Sequence, residues 1–180
     1  MRQKISEQIE IPSGISCKFS DRALKCKLGE IETSRKMETP CQLVSVKDNT
    51  LSLECVSGNK NDFKKIKSGI AHIKNMFLGL QNPFVYRLES CTVHFPVTLK
   101  LEGDKVVISN FLGEKTPRFA QILPGVTVDI KGQKITVTSV NKESAGQTSA
   151  NLEKATKIKN RDRRVFQDGI FLTERPGSTK

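Results

Sequence analysis

The chain has 180 residues, 36% of them hydrophobic, with no tryptophan and nine phenylalanines, enough apolar material for one core or two small ones. Its formal net charge of +11 points to a polyanionic partner, nucleic acid or an anionic membrane. No apolar run approaches the roughly 18 residues of a membrane span, and Met1-Arg2-Gln3-Lys4-Ile5 lacks the apolar core of a signal peptide.

The first stretch is written in short alternating runs. Ile5, Ile9 and Ile11 precede a Pro12-Ser13-Gly14 turn, and Ile15 to Phe19 alternates at period two. After Asp21-Arg22, Leu24 to Leu28 does the same, and Ile31 to Met37 forms another candidate strand. Cys41 to Val46 and Leu51 to Val56 flank Lys47-Asp48-Asn49, a hairpin signal. The period then changes. Phe63, Ile66, Ile70, Ile73, Phe77 and Leu80 recur three or four apart, the stripe of an amphipathic helix, with Asn59 or Asn61 available as its cap. Asn82-Pro83 ends it, because proline disfavours helical geometry in the residue before it.

The second half repeats this plan. Phe84 to Val93, Val97 to Leu101, Val106 to Phe111, Arg118 to Leu123, Val126 to Ile130 and Ile135 to Val140 read as strands, and a helix begins near Asn141 or Lys142. Strands followed by one covering helix, twice, predict an α+β fold of two tandem copies of a small domain, each an antiparallel-rich sheet covered by one main helix. The expected boundaries are 1–82, 83–174 and a C-terminal tail 175–180. Charge follows the same division: splitting at residue 80 leaves +5 and +6.

The second helix carries Leu152, Ala155 and Ile158 for an inward face and is expected to stop at Asn160, followed by a strand from Gly169 to Thr173. Between Lys154 and Arg164 lie six basic residues, Lys154, Lys157, Lys159, Arg161, Arg163 and Arg164. Guanidinium groups this dense repel one another unless an anion lies between them, and each can hold a phosphate through two parallel hydrogen bonds. A solvated basic face with no partner is the plain alternative. Asp162 either orients the neighbouring arginines by ion pairing or merely offsets local charge. Phe166 and Phe171 read as core residues, and Gly169 as part of the turn into the last strand.

Cys17, Cys26, Cys41, Cys55 and Cys91 are odd in number and widely spaced, with no C-x-x-C pair. A thiolate metal site needs close pairs, so reduced, mostly buried thiols are expected, with no metal and no cofactor. The loop Asn110 to Lys115 lacks the two glycines five apart and the Lys-Ser or Lys-Thr of a phosphate loop. His72 reads as a surface helix residue and His94 as a structural hydrogen-bonding group, so no enzyme is expected.

Four segments together resemble a known family: Ile73 to Gly79, His94-Phe95-Pro96-Val97, Ser109 to Lys115, and the C-terminal basic run. In this order they are similar to the large-ribosomal-subunit L-six family, called L-nine in eukaryotes, and Asn110 to Lys115 with Lys159 to Ile170 look like its archaeal and eukaryotic branch. The resemblance implies two tandem copies of one α+β fold and a structural role in translation, binding large-subunit ribosomal RNA near the sarcin–ricin loop and stalk base beside neighbouring subunit proteins. It implies no membrane and no small-molecule substrate, and a cytoplasmic ribosome, with nuclear assembly if the source is eukaryotic. The RNA-binding residues expected on this reading are Lys115, Arg118, Lys154, Lys157, Lys159, Asn160, Arg161, Arg163 and Arg164. One departure stands out: where the family carries a Gly-Pro-basic-Gly turn, this chain has Leu28-Gly29-Glu30-Ile31, and Glu30 repels phosphate. The altered turn also admits an extra-ribosomal RNA-binding or subunit-assembly factor.

Overall fold

A computed structural model describes residues 3–37, 43–47, 49–162 and 164–177. The chain divides into two compact units, Met1–Asn82 and Pro83–Lys180.

In the first unit the alternating runs become β1 (Gln3–Glu10), β2 (Ser16–Ser20), β3 (Ala23–Leu28), β4 (Ile31–Lys36), β5 (Leu43–Lys47) and β6 (Thr50–Gly58). They pair antiparallel in two sheets of three, ordered β1-β6-β5 and β2-β3-β4. Period two sends Leu24 and Cys26 of β3, and Leu51, Leu53 and Cys55 of β6, to buried faces. Helix α1 (Lys60–Gln81) packs on β3, β6, β4 and β1. Asn59 starts it through a capping box: its side chain accepts from the backbone N–H groups of Asn61 and Asp62, and Asp62 returns a bond to the Asn59 N–H at 2.9 Å. Ile66, Ile73, Phe77 and Leu80 are buried, each such residue contributing about 1.5–3 kcal/mol of apolar burial. Phe63 departs from the expected stripe. It lies in the first turn, 43% exposed, with the Lys67 ammonium over its ring.

The second unit contains β7 (Phe84–Cys91), β8 (Thr98–Glu102), β9 (Lys105–Ser109), a 3-10 turn at Phe111–Gly113, β10 (Arg118–Gln121), β11 (Val126–Lys131), β12 (Lys134–Ser139), α2 (Lys142–Ala155) and β13 (Gly169–Glu174). Its sheets are ordered β11-β12-β7-β13 and β10-β9-β8, again antiparallel. Strand for strand this is the connectivity of the first unit, with β13 added on the outer edge of β7. The core gathers Leu88, Val106, Ile108, Phe111, Ile135, Val137, Leu152 and Ile170.

Helix α2 buries Ala145, Thr148, Ser149 and Leu152 against the strands. Its buried hydroxyls are satisfied: Thr148 accepts from the Leu123 N–H, and Ser149 donates to the Ala145 carbonyl. The helix stops at Ala155 rather than running to Asn160. Thr156, which is buried, turns its hydroxyl back on the Leu152 and Glu153 carbonyls and accepts the Ile170 N–H at 2.9 Å, tying the helix end to β13. Ile158 therefore reaches the core, half-buried, from the following loop. Among the described residues, no helix is long and apolar enough to cross a membrane.

Candidate nucleic-acid interface

Apart from Lys154, in the last turn of α2, the basic run occupies the loop between α2 and β13, whose two ends are anchored by buried residues, Thr156 and Asp168. Backbone geometry shapes what lies between. Asn160 adopts a left-handed conformation (φ 57°), and Asp162 forms a turn in which its carboxylate accepts the Arg164 N–H at 2.9 Å and its carbonyl accepts from Phe166. Asp162 thus organises the loop through the backbone of Arg164 and Phe166.

Arg118, at the start of β10, braces the N-terminal side of this loop. Its guanidinium forks onto Glu114, Nε to Oε2 at 2.7 Å and Nη2 to Oε1 at 2.5 Å. Nη1 donates to the carbonyls of Ala155 and Lys157 at 2.9 and 3.2 Å, capping the end of α2, and the guanidinium lies over the Phe111 ring. The hydrogen bond from Arg118 holds the Glu114 carboxyl below the usual carboxylate range, and the charge of Arg161 adds to the effect. With four N–H···O contacts committed inside the protein, Arg118 braces the loop.

Asp168 anchors the other end. Its carboxylate, fully buried, accepts from the Val93 N–H at 2.8 Å, the His94 N–H at 3.2 Å and His94 Nδ1 at 3.2 Å. Burial pushes its pKa up, but the bonds from Val93 and His94 outweigh that and hold it below the ordinary aspartate value. The His94 ring stacks on Phe166 with centroids 5.0 Å apart, and the Arg161 guanidinium lies 4.7 Å from the Phe166 ring centre. Phe166 is half-buried between these partners. Nearby, Asn110 donates to the Pro96 carbonyl, and Gly113 (φ 75°) faces Phe95, whose ring a Cβ at Gly113 would meet at 3.4 Å.

Three of the four family-like segments, His94 to Val97, Ser109 to Lys115 and the C-terminal basic run, therefore meet in one place, with Arg118 between the last two. Exposed there are Lys115, Lys154, Lys157, Lys159, Asn160, Arg161 and Arg164; Arg163 lies outside the described residues. Among the described residues, none of Lys154, Lys157, Lys159, Arg161 and Arg164 has a carboxylate within ion-pair distance. Four cations on the braced loop, with Lys154 in the last turn of α2, are left without carboxylate partners and form a surface that can accept phosphates in exchange for counterions.

One neighbouring residue differs from expectation. Phe171 is 43% exposed and, with Lys154, Lys157 and Ile158, lines a cleft of about 430 Å³ beside the loop. Gly169 opens β13, where its need is space: a Cβ would meet the Phe171 ring at 3.0 Å. His94, Phe166 and Asp168 are site-forming residues that residue-by-residue reading did not assign together. The signal that could have joined them was the shared membership of their segments in one family pattern. Among the described residues, no group of three or more His, Cys, Asp or Glu side chains could hold a metal.

Comparison with known proteins gives a consistent result. The family model described as "Ribosomal protein L6" matches residues 95–169, which takes in the meeting segments from Phe95 onward. The chain is 44% identical to the large ribosomal subunit protein uL6 of Methanobrevibacter smithii, over 93% of this chain and 94% of that one. It is 38% identical to the protein of the same name from Methanococcus vannielii, over 96% of this chain and 95% of that one.

Proposed function

Because the chain belongs to the uL6 family of large-ribosomal-subunit proteins, we propose that it is an integral constituent of the large subunit, held to ribosomal RNA by the loop 157–164. The family is one of ribosomal proteins, not of enzymes, and the role inferred here is that of a scaffold in translation. The observation that carries it is the set of exposed cations, lacking carboxylate partners, on a loop fixed at both ends by Thr156 and Asp168. Lys154 and Lys115 extend the basic surface on either side. Phosphate and sugar contacts position a protein without reading sequence, so specificity comes from the shape of folded RNA. Binding weakens steeply with salt, each phosphate adding roughly −0.7 to −0.9 to the slope of log affinity against log salt.

Placement near the sarcin–ricin loop and stalk base, beside neighbouring subunit proteins in a cytoplasmic ribosome, rests on the family resemblance. A nuclear assembly step belongs to this reading only for a eukaryotic source. Phosphate holding is assigned to the second unit, because the β3–β4 turn of the first presents an exposed Glu30. The two units, sharing one connectivity, are read as copies of one domain.

The test is sedimentation of a native lysate after a high-salt wash, comparing the natural chain with a variant carrying Arg161→Glu, Arg163→Glu and Arg164→Glu. The natural chain is expected in stoichiometric amount with large subunits, and the variant in the light fractions. Undiminished incorporation of the variant overturns the role of the loop. A natural chain found only in the light fractions favours an extra-ribosomal assembly factor.

A further inference from the structure

Cys17 and Cys26 are equidistant from the Asp21-Arg22 turn, so the hairpin register alone sets them opposite each other in β2 and β3. Their sulfurs lie 3.0 Å apart. Directly opposed residues of an antiparallel pair have Cα atoms about 4.5–5.5 Å apart, inside the range of about 4.4–6.8 Å that a disulfide spans, so the two can be joined without moving the strands. The pair is asymmetric: Cys26 is fully buried, whereas Cys17 is half-buried and reaches solvent. On the far side of Cys26, β4 places Thr33 in register, and its hydroxyl oxygen is buried without a hydrogen-bond partner among the described residues.

We propose that Cys17 and Cys26 are a dithiol modification site, oxidised by a peroxide to a cross-strand disulfide that staples β2 to β3. Cys17 is the attacking sulfur and Cys26 the resolving one. The Cys17 thiolate attacks one peroxide oxygen, the O–O bond breaks, and the departing hydroxide takes a proton to leave as water. Cys17 is then a sulfenic acid. Cys26 gives up its proton and attacks the Cys17 sulfur, the S–O bond breaks, and a second water leaves. The two thiols lose two electrons and two protons, and one hydrogen peroxide becomes two waters. The assignment of roles follows exposure. It agrees with the acidity of the pair, since the hydrogen bond from Cys26 pulls the Cys17 thiol below its ordinary value, while that bond and burial push Cys26 up. A soluble dithiol reverses the step by thiol–disulfide exchange.

The experiment is titration of the purified full-length chain with hydrogen peroxide, followed by denaturation, alkylation and non-reducing peptide mapping. Of the five cysteines, two should become resistant to alkylation, the intact mass should fall by two hydrogens, and the map should join the peptides bearing Cys17 and Cys26. Dithiothreitol should restore both thiols. Cys17→Ser and Cys26→Ser should each abolish the loss of two hydrogens, and in Cys26→Ser the sulfenic acid at Cys17 should be trapped by dimedone. A disulfide mapped to other cysteines overturns the proposal, as does Cys17 driven to sulfinic acid while Cys26 stays open to alkylation. If either variant fails to fold, the map of the natural chain decides.

Discussion

Replacing Asp168 by Asn changes one oxygen for an NH₂ group and leaves shape nearly untouched. The carboxylate accepts three bonds, two at Oδ1 (from Val93 and from the His94 ring) and one at Oδ2 (from the His94 N–H). The most favourable amide orientation keeps Oδ1 on its two donors and turns the NH₂ group toward the His94 N–H, donor against donor, in a fully buried position. Loss of a hydrogen bond to a charged acceptor together with an unsatisfied buried donor costs about 2–3 kcal/mol. For a unit of this size, each kcal/mol moves the melting temperature by about 4–8 °C, so a fall of about 8–24 °C is expected. The assay is specific to the second unit. The chain has no tryptophan and a single tyrosine, Tyr86, on β7 against that unit's core, so tyrosine emission follows its unfolding alone.

The same variant makes a pH prediction. Asp168 is held below its ordinary pKa in the folded state, so its ionised form stabilises the fold above the unfolded-state value of about 3.9. That contribution is lost as pH falls through the lowered folded value. The gap between natural chain and variant should therefore be full at neutral pH and shrink as the pH is lowered below about 4. A melting shift under about 3 °C at neutral pH, or a gap that does not narrow in acid, refutes the idea that Asp168 anchors the loop as a carboxylate.

Other perturbations separate holding the loop from holding RNA. Arg161→Ala with Arg164→Ala should leave the melting temperature within a few degrees while flattening the slope of log affinity against log salt by roughly 0.7–0.9 per lost phosphate contact, read by filter binding to ribosomal RNA fragments. Asp168→Asn removes no cation and should lower affinity with the slope unchanged. Arg118→Lys keeps the charge but cannot reproduce the planar fork onto Glu114 and the two carbonyls; tyrosine-detected urea unfolding should show a loss of about 1.5–3 kcal/mol. Asn59→Ala should cost about 1 kcal/mol through its capping box, seen as lost helicity by circular dichroism and not by Tyr86.

The alternation of apolar residues was enough to locate most strands, because these sheets bury one face and period two is then unambiguous. Helix α1 was equally plain, since its stripe is made of large residues and its cap and proline stop are local signals. Helix α2 was harder at both face and end. Its inward side uses Thr148 and Ser149, which look polar in sequence and are satisfied only in three dimensions. Its stop depends on a bond between Thr156 and Ile170, fourteen positions apart. The basic run was legible as charge. What makes it a site was not, because His94 and Asp168 lie 74 residues apart in sequence and meet only when β13 pairs with β7. The Cys17–Cys26 opposition, by contrast, could be counted from the hairpin turn, and the wide spacing of the cysteines along the chain concealed it.

Where the two units differ is where the candidate site lies. Both run six strands in the same order and then a helix. In the first, α1 ends at Gln81, and Asn82-Pro83 passes directly into the next strand, leaving β1 at the margin of its sheet among the described residues. In the second, α2 gives way to a loop of thirteen residues, 156–168, and β13 closes the corresponding edge of β7. A basic loop gains most from such closure. Its like charges repel, and a free chain would spread them; Thr156 and Asp168, together with Arg118 at the helix end, hold the backbone so that the cost of gathering the cations is met by folding instead of by RNA binding. The shared connectivity supplies the sheet and its covering helix. The added strand is what turns a run of lysines and arginines into a surface with a fixed shape.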